Sequence, residues 1–153
     1  MCQESESSMI DKLSQMQIFI IGTPLETAKA LDKRRLNKQI IECHQILNAI
    51  NGAKAWRNHP VVLQYRDYDD WLRLYTKVLE EYRNGSYIVA EMIDSVMIQP
   101  PFHDEEFFNQ MKRRLFTKNP QHYSQWSDLG TSEENWYYVD GVMRRYVNGK
   151  RIE

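Results

Sequence analysis

A chain of 153 residues is long enough for one domain with its own core and no disulfide staples. Hydrophobic residues make up 42% and charged residues 27%, which excludes a disordered, collagenous or wholly coiled-coil chain. The net charge is −1, and no apolar run exceeds four residues, far short of the ~20 needed to cross a bilayer. The start, Met1 to Glu6, lacks the basic and apolar regions of a signal peptide, and Cys2 and Cys43 make no disulfide framework. A cytoplasmic protein is expected.

Residues 1–15 read as a polar tail rich in Ser, Glu and Gln, and 16–153 as a single globular domain. Gln17 to Gly22 holds a short apolar run suited to a buried extended segment. Thr23-Pro24-Leu25-Glu26 is a capping box with Pro in the first turn, so a helix should start there and run towards Ile50, with a break near Asp32. Leu36, Ile40, Cys43, Leu47 and Ile50 repeat at 4, 3, 4, 3 and mark its buried face. Asn58 is a candidate cap for the next helix, with Pro60 in its first turn. Further helices are expected over 67–83, 86–98 and 104–118, each ended by Gly or Pro signals. A short helical turn follows through Trp126. Beyond Trp136 the pattern becomes strand, Asp140-Gly141, strand, Asn148-Gly149, strand. The expected class is mainly α: a compact single-domain helical fold with a small C-terminal β meander.

Charge is uneven along this chain. Between Ala28 and Asn58 there are seven Lys or Arg against Asp32 and Glu42, a local excess of five positive charges. Such a stripe can grip phosphates although the whole chain is near neutral. The alternative is a solvated helix face. Aromatic residues reach 12%, and they serve either the core or the stacking of bases. At ~100° per residue, Arg35, Gln39 and Glu42 share one flank of the apolar stripe. This puts a carboxylate at the core's edge, one turn from an amide and two from a guanidinium, where it can act as a base or stabilise a developing cation. An ordinary ion pair is the plainer reading of the same spacing. Trp56-Arg57-Asn58-His59-Pro60 is a second polar cluster, suited to phosphate and base contact or to a packed Trp and a capping turn. No metal-ligand spacing is present among the four His and two Cys, no Gly-rich phosphate loop occurs, and Cys43 falls on the apolar stripe.

Three blocks, Leu31 to Glu42, Trp56 to Pro60 and Arg113 to Tyr123, resemble in order the pyrimidine-dimer DNA glycosylases of the phage endonuclease V type, and more closely small bacterial proteins of that family. The resemblance spans roughly residues 17–128. It implies a mainly helical domain acting on damaged double-stranded DNA, with no cofactor, no metal and no membrane. In the family an α-amino group attacks C1′, the base leaves, and an imine leads to strand cleavage by β-elimination. Glu42 matches the essential glutamate. Gln17 matches the position of the amine, provided that its amine is freed. Arg35, His59, Lys118 and Tyr123 match DNA-facing positions of the family, and the full expected DNA-binding set is Arg34, Arg35, Lys38, Gln39, Trp56, Arg57, His59, Lys118 and Tyr123. The expected function is therefore DNA-damage processing by a glycosylase, with abasic-site lyase activity through an imine if the amine is free. A non-catalytic nucleic-acid-binding module of the same fold is the alternative, and a protein-interaction domain is a third.

Overall fold

The computed structural model describes residues 16–152; the expected tail, 1–15, lies outside them. Met16 to Ile20 is wholly buried and belongs to no helix or sheet. Its backbone amides and carbonyls need partners there, since an unmet buried polar group is costly. Side chains supply them. Gln39 Nε2 donates to the Gln17 carbonyl at 3.1 Å, and Gln39 Oε1 accepts from the Phe19 N–H at 2.6 Å. Tyr75 donates to the Phe19 carbonyl, and Tyr137 donates to the Met16 carbonyl at 2.8 Å.

Helix α1 (Pro24–Ala30) begins on the expected capping box, with Thr23 and Glu26 bonding reciprocally. The long helical pattern does break at Asp32, for a physical reason. Asp32 has an extended backbone and caps α2 (Lys33–Ile50) by accepting from Arg35 N–H at 3.3 Å. Its own N–H donates to the Tyr123 hydroxyl at 2.9 Å, and that hydroxyl donates to the Asp32 carboxylate. On α2, Leu36, Ile40, Cys43 and Leu47 are buried as the spacing required, while Ile50 is half-buried. Each such side chain contributes roughly 1.5–3 kcal/mol on burial.

Helix α3 (Pro60–Tyr65) is capped by His59, not Asn58: His59 Nδ1 accepts from the Val61 N–H at 3.0 Å. The proton of the neutral ring therefore sits on Nε2. A 3₁₀ turn (Arg66–Tyr68) leads into α4 (Asp69–Arg83), which buries Trp71, Leu72, Tyr75 and Leu79. Helix α5 (Ile88–Val96) lies against α4 and α1, and α6 (Glu105–Lys118) buries Phe107, Met111 and Leu115. Beside them His103 is buried between Tyr65 and Gln99, at 2.8 and 2.7 Å, and burial lowers its pKa to about 3. A second 3₁₀ turn (Ser124–Leu129) follows.

Strands β1 (Asn135–Val139), β2 (Val142–Val147) and β3 (Lys150–Arg151) form an antiparallel meander. Both turns place their two central residues at positive φ: Asp140 and Gly141 at 53° and 79°, Asn148 and Gly149 at 51° and 78°. That is the twist a two-residue hairpin needs, and it is why Asp-Gly and Asn-Gly mark such turns. The fold is thus mainly α with a small C-terminal β meander.

Candidate active site

Glu42 sits on the inner flank of α2 with 7% of its surface exposed. The backbone N–H of Gln17 lies near its carboxylate and favours the charged form. Arg35, two turns earlier, brings Nη1 to 3.5 Å from Oε1 while its guanidinium lies 5.1 Å from the Phe19 ring centroid. The Gln17 side chain is fixed as well, donating to Asn135 Oδ1 at 2.7 Å, and Arg114 Nε donates to that same oxygen at 3.0 Å. Burial raises the Glu42 pKa above the usual carboxylate value; Arg35, Lys38, Lys118 and the Gln17 N–H offset this only in part.

Outside this carboxylate lies a cavity of about 240 Å³, lined by Asp32, Arg34, Arg35, Lys38, Leu115, Lys118, Asn119 and Tyr123. Four cations face one carboxylate, and the Asp32 carboxylate is already occupied by the Arg35 N–H and the Tyr123 hydroxyl. The cavity is therefore built for an anion. Its size is below the ~300–1,000 Å³ of drug-sized sites and suits a phosphate or a sugar. Glu42 does not line the cavity. It reaches it through Arg35, which belongs to both. Lys118 closes the cavity from the end of α6, and its pKa falls to about 8, through desolvation first, then through Arg114, Arg35 and Lys38, with Glu42 opposing. By area Lys118 is exposed. The crowding of cations is accordingly the firmer cause.

Arg34, Arg35, Lys38, Lys118 and Tyr123 thus converge on one cavity with Glu42 beside it. Tyr123 is 1% exposed with its hydroxyl spent on Asp32, so it shapes the cavity rather than reaching out. His59 flanks the same hub from the other side. Its ring meets Tyr137 edge-on at 5.7 Å, and Tyr137 holds the Met16 carbonyl. Gln39 is the correction among the expected contact residues. It is 0% exposed, and both ends of its amide are engaged by the Met16–Ile20 segment, so it positions that segment instead of meeting a ligand. Trp56 takes a φ of 61°, rare for a bulky residue, and packs on the core, while Arg57 is exposed; no described contact ties either to the cavity. Sequence reasoning missed Tyr137, Arg114 and Asn135, which reach the hub from the far end of the chain.

A larger cavity, about 380 Å³, lies between Pro101, Phe102, Asp104 and Glu106 and the sheet residues Trp136, Tyr138, Met143 and Arg145. Its guanidinium is already held by Glu134. Two remaining carboxylates make it the wrong sign for phosphate. Among the described residues no cluster of His, Cys, Asp and Glu could hold a metal, and no helix is long and apolar enough to cross a membrane.

A helical scaffold carries a cationic cavity beside a buried carboxylate, an arrangement whose charge can hold a phosphate. The model of the pyrimidine dimer DNA glycosylase family matches residues 16–91, and over this stretch the chain belongs to that family. The match opens at Met16 and includes Gln17, Arg34, Arg35, Lys38, Glu42 and His59; it ends before Lys118, Tyr123 and the sheet. No curated protein and no solved structure matches the chain. Family membership supports a role as a DNA-repair glycosylase.

Proposed function

We propose that this protein is a DNA glycosylase that releases a damaged pyrimidine from double-stranded DNA, and that abasic-site lyase cleavage can follow through an imine. The observation that carries this reading is the buried Glu42 carboxylate, which has the Gln17 backbone nitrogen near it and is joined through Arg35 to a cationic cavity. In the sequence as given, this nitrogen is an amide, because Met16 precedes it. Freed by cleavage before Gln17, the same nitrogen would be an amine held against a carboxylate. That is the arrangement an attack on C1′ requires.

In this reading Arg34, Arg35, Lys38 and Lys118 hold phosphates, and burial, which raises the pKa of Glu42, makes its carboxylate a better proton acceptor than an exposed one. Its negative form stabilises the positive charge that develops at C1′ as the base departs. His59, Trp56 and Arg57 are placed by this proposal along the path of the nucleotide turned out of the stack. Base release from a duplex carrying one pyrimidine dimer tests it. The wild-type chain should release the base, and Glu42→Gln should not, with DNA binding kept. Full release by Glu42→Gln would remove the carboxylate from the chemistry.

One observation favours a second reading, a binding module without catalysis: the Gln17 nitrogen is an amide and Glu42 is screened from the cavity by Arg35. Tight, salt-sensitive binding to damaged duplex with no base release by the wild-type chain would select it.

A further inference from the structure

The outer face of the meander carries a cavity that the family match does not reach. Residues of a strand alternate between its two faces, so Trp136 and Tyr138 share the face opposite the buried Tyr137. The register sets Arg145 across from Trp136 and Met143 across from Tyr138. These four side chains form one wall of the cavity of about 380 Å³; Pro101, Phe102, Asp104 and Glu106, at the start of α6, form the other. Tyr138 stacks on the buried Phe102 at 5.0 Å and 18°, and the Trp136 indole is fixed by its Nε1 hydrogen bond to Glu134. The rings are therefore held in place before any ligand arrives.

Charge selects what such a cavity takes. Arg145 is offset by its forked pairing with Glu134. Asp104 and Glu106 remain, both exposed, and no described cation pairs with either. Asp104 caps α6 through one carboxylate oxygen, which accepts from the Phe107 N–H at 2.9 Å. The positive end of the helix offsets only about half a charge, against two full negative ones. The same two carboxylates also line an adjoining open cavity with Glu105, Asn109 and Arg113, and Arg113 is engaged there by the Leu129 carbonyl and by Gln110. An acidic strip thus leads out of the ring-lined cavity along α6.

We infer that the ring-lined cavity takes the guanidinium of an arginine side chain, presented by a basic segment of a partner protein that lies along the acidic start of α6. A guanidinium is flat and weakly hydrated, stacks on Trp and Tyr faces, and binds carboxylates through paired hydrogen bonds, whereas an ammonium is a strongly hydrated point charge. The volume falls within the ~300–1,000 Å³ of small-ligand sites and has room for the whole side chain. The adjoining acidic cavity favours a peptide over a free cation, because it offers a place for a second basic residue. No residue lines both this cavity and the cationic one beside Glu42, so the inference stands apart from the glycosylase reading.

NMR titration of the isotope-labelled full chain tests it, with the Trp136 indole N–H signal identified by its loss in Trp136→Phe. The probes are a blocked Arg-Gly-Arg peptide, its Lys-Gly-Lys analogue, butylguanidinium, and butylurea, which has nearly the same shape without the charge. The Arg peptide should shift the Trp136 indole signal and bind roughly tenfold tighter than butylguanidinium. Butylguanidinium should in turn bind roughly fivefold tighter than butylurea. Asp104→Asn with Glu106→Gln, which keeps a capping side chain on α6, should weaken the peptide roughly fivefold at low salt and retain cooperative thermal unfolding. Equal binding of butylurea and butylguanidinium would make the cavity merely apolar and overturn the inference. So would an unshifted Trp136 signal, or unchanged peptide affinity in the folded double variant. Equal binding of the Lys peptide would overturn the choice of guanidinium, and equal binding of free butylguanidinium would overturn the partner segment as its source. Should the double variant fail to unfold cooperatively, the comparison of the four probes on the wild-type chain decides alone.

Discussion

Among the carboxylates that pair with arginines, Glu134 and Glu42 end on opposite sides of the ordinary carboxylate pKa. Glu134 takes two hydrogen bonds from Arg145, at 2.9 and 2.5 Å, and a third from Trp136 Nε1 at 2.9 Å. These donors lower its pKa to about 2, and the pair lies at the surface of the sheet. Glu42 receives one long contact from Arg35, at 3.5 Å, in a place that water scarcely reaches, and its pKa is raised. A forked, close pair at the surface fixes geometry at little cost. A loose pair in a buried place leaves the carboxylate paying for its charge, which is a poor way to hold a fold and a suitable way to keep a proton acceptor reactive.

Replacing each carboxylate by its amide tests the contrast most severely. Glu42→Gln should lower base release by roughly 10²-fold or more, whereas Glu134→Gln should leave it within twofold. Stability should separate them too. Glu42 has a folded pKa above its unfolded one, so its contribution is fully present below the unfolded value and is lost as pH rises through the folded value. The stability of wild type relative to Glu42→Gln should therefore fall as pH rises above the ordinary glutamate value. For Glu134 the folded pKa is depressed, so the wild type's advantage is present above the unfolded value and lost as pH falls towards 2. Urea titrations across this range read both signs. Equal slopes for the two variants would break the comparison.

The hub that presents the Gln17 nitrogen to Glu42 can be loosened without touching either residue. Gln39→Leu keeps the volume but strands the Phe19 N–H and the Gln17 carbonyl in the core. With ~1–3 kcal/mol for each of the two unmet groups, a loss of about 2–6 kcal/mol is expected in denaturant unfolding. A loss below about 1 kcal/mol would mean that water or a shifted backbone replaces the amide. On the outer side of the cavity, Arg34→Ala with Lys38→Ala should weaken binding to all duplex sequences alike. The slope of log K against log salt should flatten by about 1–2 units, read by fluorescence anisotropy. An unchanged slope would take this wall of the cavity off the DNA.

Much of the scaffold was legible in residue spacing. The capping box at Thr23, the break at Asp32, the buried stripe of α2 and the two hairpin turns each follow from local rules, and each is local in the structure. The same spacing correctly grouped Arg35 and Glu42 on one flank. It misjudged Gln39, since an amide on that flank looks like a surface group until something polar packs against it. The signal was present but indirect: an apolar run such as Ile18 to Ile21, too short for a helix and with no obvious strand partner, must find hydrogen bonds for its backbone somewhere. Long-range partners were beyond local reading. Lys118 entered through family resemblance alone, and Tyr137 and Arg114 not at all, because only the folded chain brings α6 and β1 to the start of the domain.

The smallest expected effect completes the comparison of the two pairs. Arg145→Ala removes the fork from Glu134, whose carboxylate keeps the Trp136 Nε1 hydrogen bond and a view of solvent. Exposed pairs are screened by water and by salt, and holding two long side chains in place costs entropy. The loss should be about 0–1 kcal/mol at low salt and should shrink towards zero at 1 M salt, by thermal or urea unfolding. Arg35→Ala strips its partner in a buried place and leaves Glu42 with less compensation, so its cost should be larger and should resist salt. The two arginines thus report whether burial, rather than the hydrogen-bond count, sets the energetics of these carboxylates. If Arg145→Ala proved the more costly and the less salt-sensitive of the two, the sheet would be the strained region, and the case for a carboxylate held reactive at α2 would lose its physical basis.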